Sequence, residues 1–246
     1  MGQLVGCLFD VTICAQHFNL WVGFRRSMVS YGKIVGLMPG TMAERLKGMM
    51  RRVLTIDVTR VYRLRFENVR VPAPAVSSCQ FAIVDAPELR RLGEQAGLSL
   101  DEGLTALLVA GKIICFAATQ GEDLLGYVWF AEQDVDPRHN TGGPAFKGIG
   151  LNLDAGVCYL FKALVVPRFR GQQLMSRMIY AAVETLSRQG LDEIVTTTDI
   201  DNQAFQKSVE RIGFTIAGHA IEWALFDRHI FWLPQLGDRI TMRRGG

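Results

Sequence analysis

The feature that most constrains this chain is a corner. An apolar run over residues 156–166 meets Pro167, an Arg-bracketed turn Arg168-Phe169-Arg170-Gly171 follows, and a helical pattern opens at Leu174. Proline donates no ladder hydrogen bond and restricts the residue before it, so a strand ends there. Leu174, Met178, Ala182 and Leu186 fall at helical spacing, as do Met175, Ile179 and Val183, and Gly190 supplies the stop. A strand that turns directly into a helix commits the chain to laying helices on a sheet. The same turn aims backbone N–H groups, and the positive end of the helix, at one point. Arg168 and Arg170 add full charges there. Such a corner suits the capture of an anion.

The segments around the corner keep the same character. Residues 79–84 predict a strand, 87–96 and 101–109 two helices, the second begun by Ser99 or Asp101. Residues 112–119 and 124–130 predict a hairpin turned by Gln120-Gly121-Glu122-Asp123. A polar loop over 132–155 carries His139, Asn140, Gly142 and Gly143; long loops are commonly functional. Residues 194–200 are rich in Val, Ile and Thr and predict a strand. Asp201 or Asn202 then caps a short helix to about Arg211, closed by Ile212-Gly213-Phe214, and residues 216–226 and 228–233 predict a closing pair of strands.

Two of these segments carry a family resemblance. Arg170-Gly171-Gln172-Gln173-Leu174-Met175 resembles the acetyl-CoA pyrophosphate loop of the GNAT (Gcn5-related) N-acetyltransferases, Arg/Gln-x-x-Gly-x-Gly/Ala, with Gln173 and Met175 where the family has small residues. The run from Asn202 to Phe214 resembles the family's Asn-x-x-Ala-x-x-Leu-Tyr-x-Lys-x-Gly-Phe, with Phe205 at the Ala. The resemblance implies an α/β (α+β) fold over residues 76–235: a mixed, mostly antiparallel sheet of about seven strands flanked by helices, in the order βααβββαβαββ. It implies an N-acyltransferase that moves an acetyl or longer acyl group from acyl-CoA to a small amine by direct attack. The residues it assigns to CoA are Leu164, Val165, Val166, Arg168, Arg170, Gly171, Gln172, Gln173, Leu174, Met175, Asn202 and Phe205. Backbone groups of Leu164 and Val166 would pair with pantetheine, and an N–H near Leu164 would hold the thioester oxygen. Asn202 reads equally as a plain helix cap.

The catalytic residues stay open. The family's Glu base falls at Phe161 and its Tyr acid at Val209, both apolar here; the replacement candidates are Tyr159, Glu132, Asp134 and His139. Hence the alternative to an enzyme: a degenerate CoA-binding or interaction module.

Charge divides the chain. Residues 1–65 carry ten Lys/Arg against three Asp/Glu, and residues 66–246 seventeen against twenty-one. Residues 1–65 therefore read as a basic, apolar arm, partly helical over 41–64, which suits an anionic membrane surface or a protein partner. Met38, Met42, Met49 and Met50 equally suit alternative starts, which would make the arm non-native. Residues 66–75, containing Pro72-Ala73-Pro74, read as a linker and 236–246 as a basic tail. Five Cys without a Cys-x-x-Cys, and four scattered His, predict reduced thiols, a cytoplasmic setting and no metal site. No nucleic-acid partner is expected.

Overall fold

In the computed structural model, residues 54–72, 79–98, 100–133, 149–225 and 228–244 are described. The chain divides into two units. One, Met1–Thr55 with Ala224–Arg228, lies almost wholly outside the described residues; the other, Ile56–Trp223 with His229–Gly246, holds the sheet and its helices.

In chain order the elements are β1 (Leu54–Arg65), β2 (Gln80–Val84), α1 (Ala86–Gln95), α2 (Glu102–Val109), β3 (Ile113–Gln120), β4 (Asp123–Ala131), β5 (Ile149–Leu153), β6 (Val157–Val165), α3 (Leu174–Arg188), β7 (Glu193–Asp199), α4 (Gln203–Arg211), β8 (Thr215–Leu225), β9 (Arg228–Trp232) and β10 (Ile240–Arg244). Eight strands form one sheet in the order β2-β3-β4-β6-β7-β1-β8-β9, and β10 pairs with β5 in a second. The β6/β7 pair is parallel, while β2/β3, β3/β4, β4/β6 and β7/β1 are antiparallel. The mixed, mostly antiparallel sheet flanked by helices is the fold the resemblance implied.

Side chains alternate across this sheet and build two apolar layers. On one face Val61, Trp129, Tyr159 and Val195 meet Leu89 and Leu92 of α1 and Leu104 of α2. On the other, Tyr62, Leu64, Phe130 and Leu160 meet Met178, Ile179 and Val183 of α3 and Val209 of α4. The helices start where their caps allow: Asp85 accepts from Glu88 N–H, Asp101 from Gly103 and Leu104 N–H, and Asn202 from Phe205 N–H.

Three strands were not anticipated, and each corrects an expectation. Residues 54–65 are neither arm nor helix. They form β1, an inner strand between β7 and β8, in register from Thr59↔Asp199 to Arg65↔Glu193. Its Val61, Tyr62 and Leu64 are at most 1% exposed, so both apolar layers draw on this strand. Three of the ten basic residues counted for the arm therefore belong to β1, two of them with partners elsewhere in the fold: Arg60 donates to Gln206 Oε1, and Arg63 makes a bidentate pair with Glu193. The remainder of the arm, 1–53, lies outside the described residues. The 132–155 loop is not bare, since it ends in β5. The 236–246 tail supplies β5's partner, β10, whose Ile240 is buried with Leu151 and Leu236.

The turn after β1 fastens the strand to α4. Phe66 N–H donates to Asp192 O and Arg70 N–H to Ile212 O, each at 2.9 Å. Gly213 sits at φ +107° with the Asn68 carbonyl so near that a Cβ would lie 2.4 Å from its oxygen. The Gly-Phe pair that ends α4 is thus needed for this close approach.

A chain beginning at Phe66 should lose β1 and with it cooperative urea unfolding. In the full-length chain, Leu64→Ala should cost about 2–5 kcal/mol. A cooperative transition in the truncated chain would show that β1 is peripheral.

Candidate functional site

The parallel β6/β7 pairing stops early. It runs from Val157↔Glu193 to Leu160↔Thr196, yet β6 continues to Val165 and β7 to Asp199. Beyond that point β6 stays with β4, through Ala163, Leu164 and Val165, and β7 stays with β1. The two strands therefore part and leave a gap within the sheet.

Three local features hold the gap open. Thr196 Oγ1 donates to Leu160 O at 2.8 Å, so a side chain closes the last rung. Lys162 is skipped between the pairs Val128↔Ala163 and Trp129↔Phe161, a bulge with φ +44°. A non-glycine residue in that region costs roughly 1–2 kcal/mol, so the surrounding strands must enforce it. Asp101 helps, with Oδ2 3.0 Å from Lys162 Nζ; the lysine ammonium holds its carboxyl below the usual carboxylate range. Finally, Gly126 of β4 lies so close to β6 that a Cβ there would sit 2.6 Å from Leu164 O.

The bulge sets which backbone groups face the gap. Val166 N–H donates to Leu125 O and its carbonyl accepts from Phe169 N–H, both at 2.9 Å. Alternation along the strand then turns Leu164 toward β4 as well, and turns Ala163 and Val165 toward the gap. This corrects the expectation for Leu164 and Val166 by one residue.

At the mouth of the gap, residues 167–173 shape the corner. Pro167–Phe169 is a 3₁₀ turn, Gly171 has φ +81°, and Gln173 stands at φ +59° as the residue before α3. The N–H groups of Gly171, Gln172 and Gln173 make no hydrogen bond among the described residues, and Leu174 and Met175 open α3 without a side-chain cap. Five successive unengaged N–H groups at a helix N-terminus are donors of the kind that suits an anion. Arg170 is exposed beside it, its Nε 3.3 Å from Val165 O. Arg168 does not join it. Its guanidinium lies 2.7 Å from Asp123 Oδ1 and over the Phe169 ring.

Gln173 shows what a large residue costs at this corner. It occupies the left-handed region that glycine takes freely, and its Oε1 is buried without a partner among the described residues. Met175 is half-buried against the α3 face of the core, and Phe205 packs there from α4. Asn202 spends its Oδ1 on the Phe205 N–H, 3.2 Å away, and is the helix cap.

The sequence's candidate acids and bases do not gather in the gap. Tyr159 is fully buried, stacked on Phe161 and hydrogen-bonded to Thr197; burial pushes its hydroxyl up, so it stays protonated at neutral pH. Glu132 follows β4 past Ala131↔Tyr159, on the edge of β6 away from β7 and below the point of parting. Asp134 and His139 lie outside the described residues. Phe161 and Val209, at the family's base and acid positions, are 3% and 0% exposed. Thr196 and Thr197 escaped the sequence reading, although their place in a Thr-Thr-Thr run was a visible signal of hydroxyls at the point of parting.

Comparison with known proteins identifies the family. The model of the acetyltransferase (GNAT) family matches residues 87–214, more than half of the chain. The chain belongs to the GNAT family. N-alpha-acetyltransferase 30 of Schizosaccharomyces pombe is 32% identical over 56 residues, 23% of this chain and 37% of that protein. Among solved structures, a GCN5-related N-acetyltransferase from Kribbella flavida has a TM-score of 0.46 at 14% identity, covering 71% of this chain and 61% of that one. AAC(6')-Iy in complex with the bisubstrate analogue CoA-S-monomethyl-acetylneamine has a TM-score of 0.40 at 20% identity, covering 56% of this chain and 92% of that one. Among the described residues of this GNAT chain, no helix is long and apolar enough to cross a membrane, and no group of three His, Cys, Asp or Glu is placed to hold a metal.

Gln173→Gly should stabilise the protein by about 1 kcal/mol in urea unfolding. Relief of the left-handed strain and of the unpartnered amide oxygen outweighs the added freedom of the unfolded chain. A destabilised variant would mean that the Gln173 side chain contributes more than it strains.

Proposed function

We propose that this GNAT protein is an acyl-CoA-dependent N-acyltransferase acting on a small amine. The observation that carries the reading is the run of unengaged N–H groups from Gly171 to Met175 at the mouth of the β6/β7 gap. These groups, with Arg170, suit a pyrophosphate. The gap-facing backbone of Ala163 and Val165 suits an extended arm of alternating donors and acceptors, taken up as an added strand. Acyl-CoA, when bound, supplies the activated acyl group.

The chain's own residues supply position and polarity. The bulge at Lys162 puts the free backbone groups of Ala163 next to the point of parting, where an N–H can meet a thioester oxygen. Phe161 and Trp129 keep water from the far side of the strands. With Phe161 at the base position, the acceptor arrives as the free amine, and the barrier falls mainly by holding it against the acyl carbon. The acceptor is reached from the α1/α2 side, past the Lys162–Asp101 pair. The thiol released at the end takes its proton from solvent or from the attacking amine, since Val209 has none to give.

The buried apolar side chains of Phe161 and Val209 favour a second reading, a module that binds CoA without transferring from it. Binding and turnover together separate the two. Calorimetric titration should show acetyl-CoA bound, and Arg170→Ala should weaken it about tenfold or more, since a charge-assisted contact contributes roughly 1.5–3 kcal/mol. With primary amines present, release of free CoA thiol marks the transferase. Binding without thiol release across an amine panel marks the module, and no binding at all contradicts both.

A further inference from the structure

A concave site lies at the other end of the sheet. Its cavity, about 670 Å³, is bounded by Arg63, Arg65 and Arg70, by Asn68 and Gly213, and by the segment 235–237. β1 runs antiparallel to β7, so Arg65 sits opposite Glu193, the first residue of β7, whereas the gap opens past Thr196 toward Asp199. Six residues of strand, about 20 Å, separate the two ends.

The walls are fixed by hydrogen bonds that leave charge over. Arg63 is committed: it holds both oxygens of the buried Glu193 and donates from Nη1 to Leu236 O at 2.9 Å. Arg239 braces the same segment through Asp192 Oδ1 at 2.8 Å and Ala155 O at 2.8 Å. On the opposite wall, the Arg70 N–H bond to Ile212 O and the Gly213–Asn68 approach hold the turn. The remaining two arginines are under-used. Arg65 meets only Glu67 among the described residues, at 3.9 Å with both side chains about two-thirds exposed. The Arg70 guanidinium has no ion pair among the described residues. The lining contains no carboxylate.

We propose that this cavity is a binding site for a phosphate-bearing ligand, held by Arg65 and Arg70 with Asn68 and Thr215 as neutral partners, and distinct from the site at the α3 N-terminus. Two guanidiniums lining a cavity without carboxylates, one unpaired among the described residues and one in a long, exposed pair with Glu67, attract a dianion, and their planar forks match phosphate oxygens in pairs. The volume admits more than a bare ion, within the usual range for small-molecule sites.

The full-length protein is titrated with pyrophosphate and with inorganic phosphate at constant ionic strength, sodium chloride serving as the blank. In the Arg170→Ala background, which weakens the separate anion site at the α3 N-terminus, binding should remain, and adding Arg65→Ala and Arg70→Ala should weaken that remaining binding at least tenfold. Arg70→Glu, at an exposed position, is the second variant and should abolish it. Vesicles containing phosphatidic acid form a parallel arm; capture that depends on Arg65 and Arg70 there, without binding of the soluble anions, identifies the phosphate as a lipid headgroup. Affinity unchanged by the Arg65 and Arg70 substitutions, loss of binding in Arg170→Ala alone, or no binding of any of the three probes overturns the site.

Discussion

Everything distinctive in this structure follows from where β6 and β7 stop sharing hydrogen bonds. A parallel pair in the middle of a sheet normally keeps its rungs to the end, because an open backbone edge in the interior is costly. Here the ladder ends at Leu160↔Thr196. The Thr196 hydroxyl satisfies the last carbonyl, the Lys162 bulge shifts the alternation, and the flanking strands β4 and β1 draw the two halves apart. Under the proposed function, a ligand that completes the ladder would account for interior backbone left unpaired in this way. The corner at residues 167–173 would give the same ligand a charged end to meet.

The corner and its helix were legible because their signals are local. Pro167, the glycine at 171 and the 3.6-residue spacing from Leu174 to Leu186 each act within a few residues. The Asn202 cap and the Gly213 stop were legible for the same reason. The strand β1 was not, because its neighbours in space, β7 and β8, lie more than a hundred residues away. Its four basic and acidic side chains, Asp57, Arg60, Arg63 and Arg65, looked like solvent-facing charge until Gln206 and Glu193 supplied partners for two of them. β5 and β10 were missed likewise: each is five residues long and buries little without the other.

The site was half legible for a related reason. The turn from strand into helix could be read from Arg170 and Gly171. The phase of the strand behind it could not, because one skipped residue, Lys162, moves the gap-facing groups from Leu164 and Val166 to Ala163 and Val165. A bulge is a pairing mismatch between two strands and leaves no signature in either strand alone. The same limit applies to Arg168, whose partner Asp123 sits on a different hairpin. The Arg63–Glu193–Arg239 cluster, assembled from β1, β7 and the segment before β10, makes the point at the far end of the sheet.

Backbone amide resonances followed during addition of acetyl-CoA test the central claim most directly. The N–H signals of Gly171, Gln172, Gln173, Leu174 and Met175 should move together with those of Ala163 and Val165, while Leu164 and Val166, already bonded to β4, should move least along β6. Perturbation centred on Leu164 and Val166, or confined to residues outside the gap and the corner, would contradict the account.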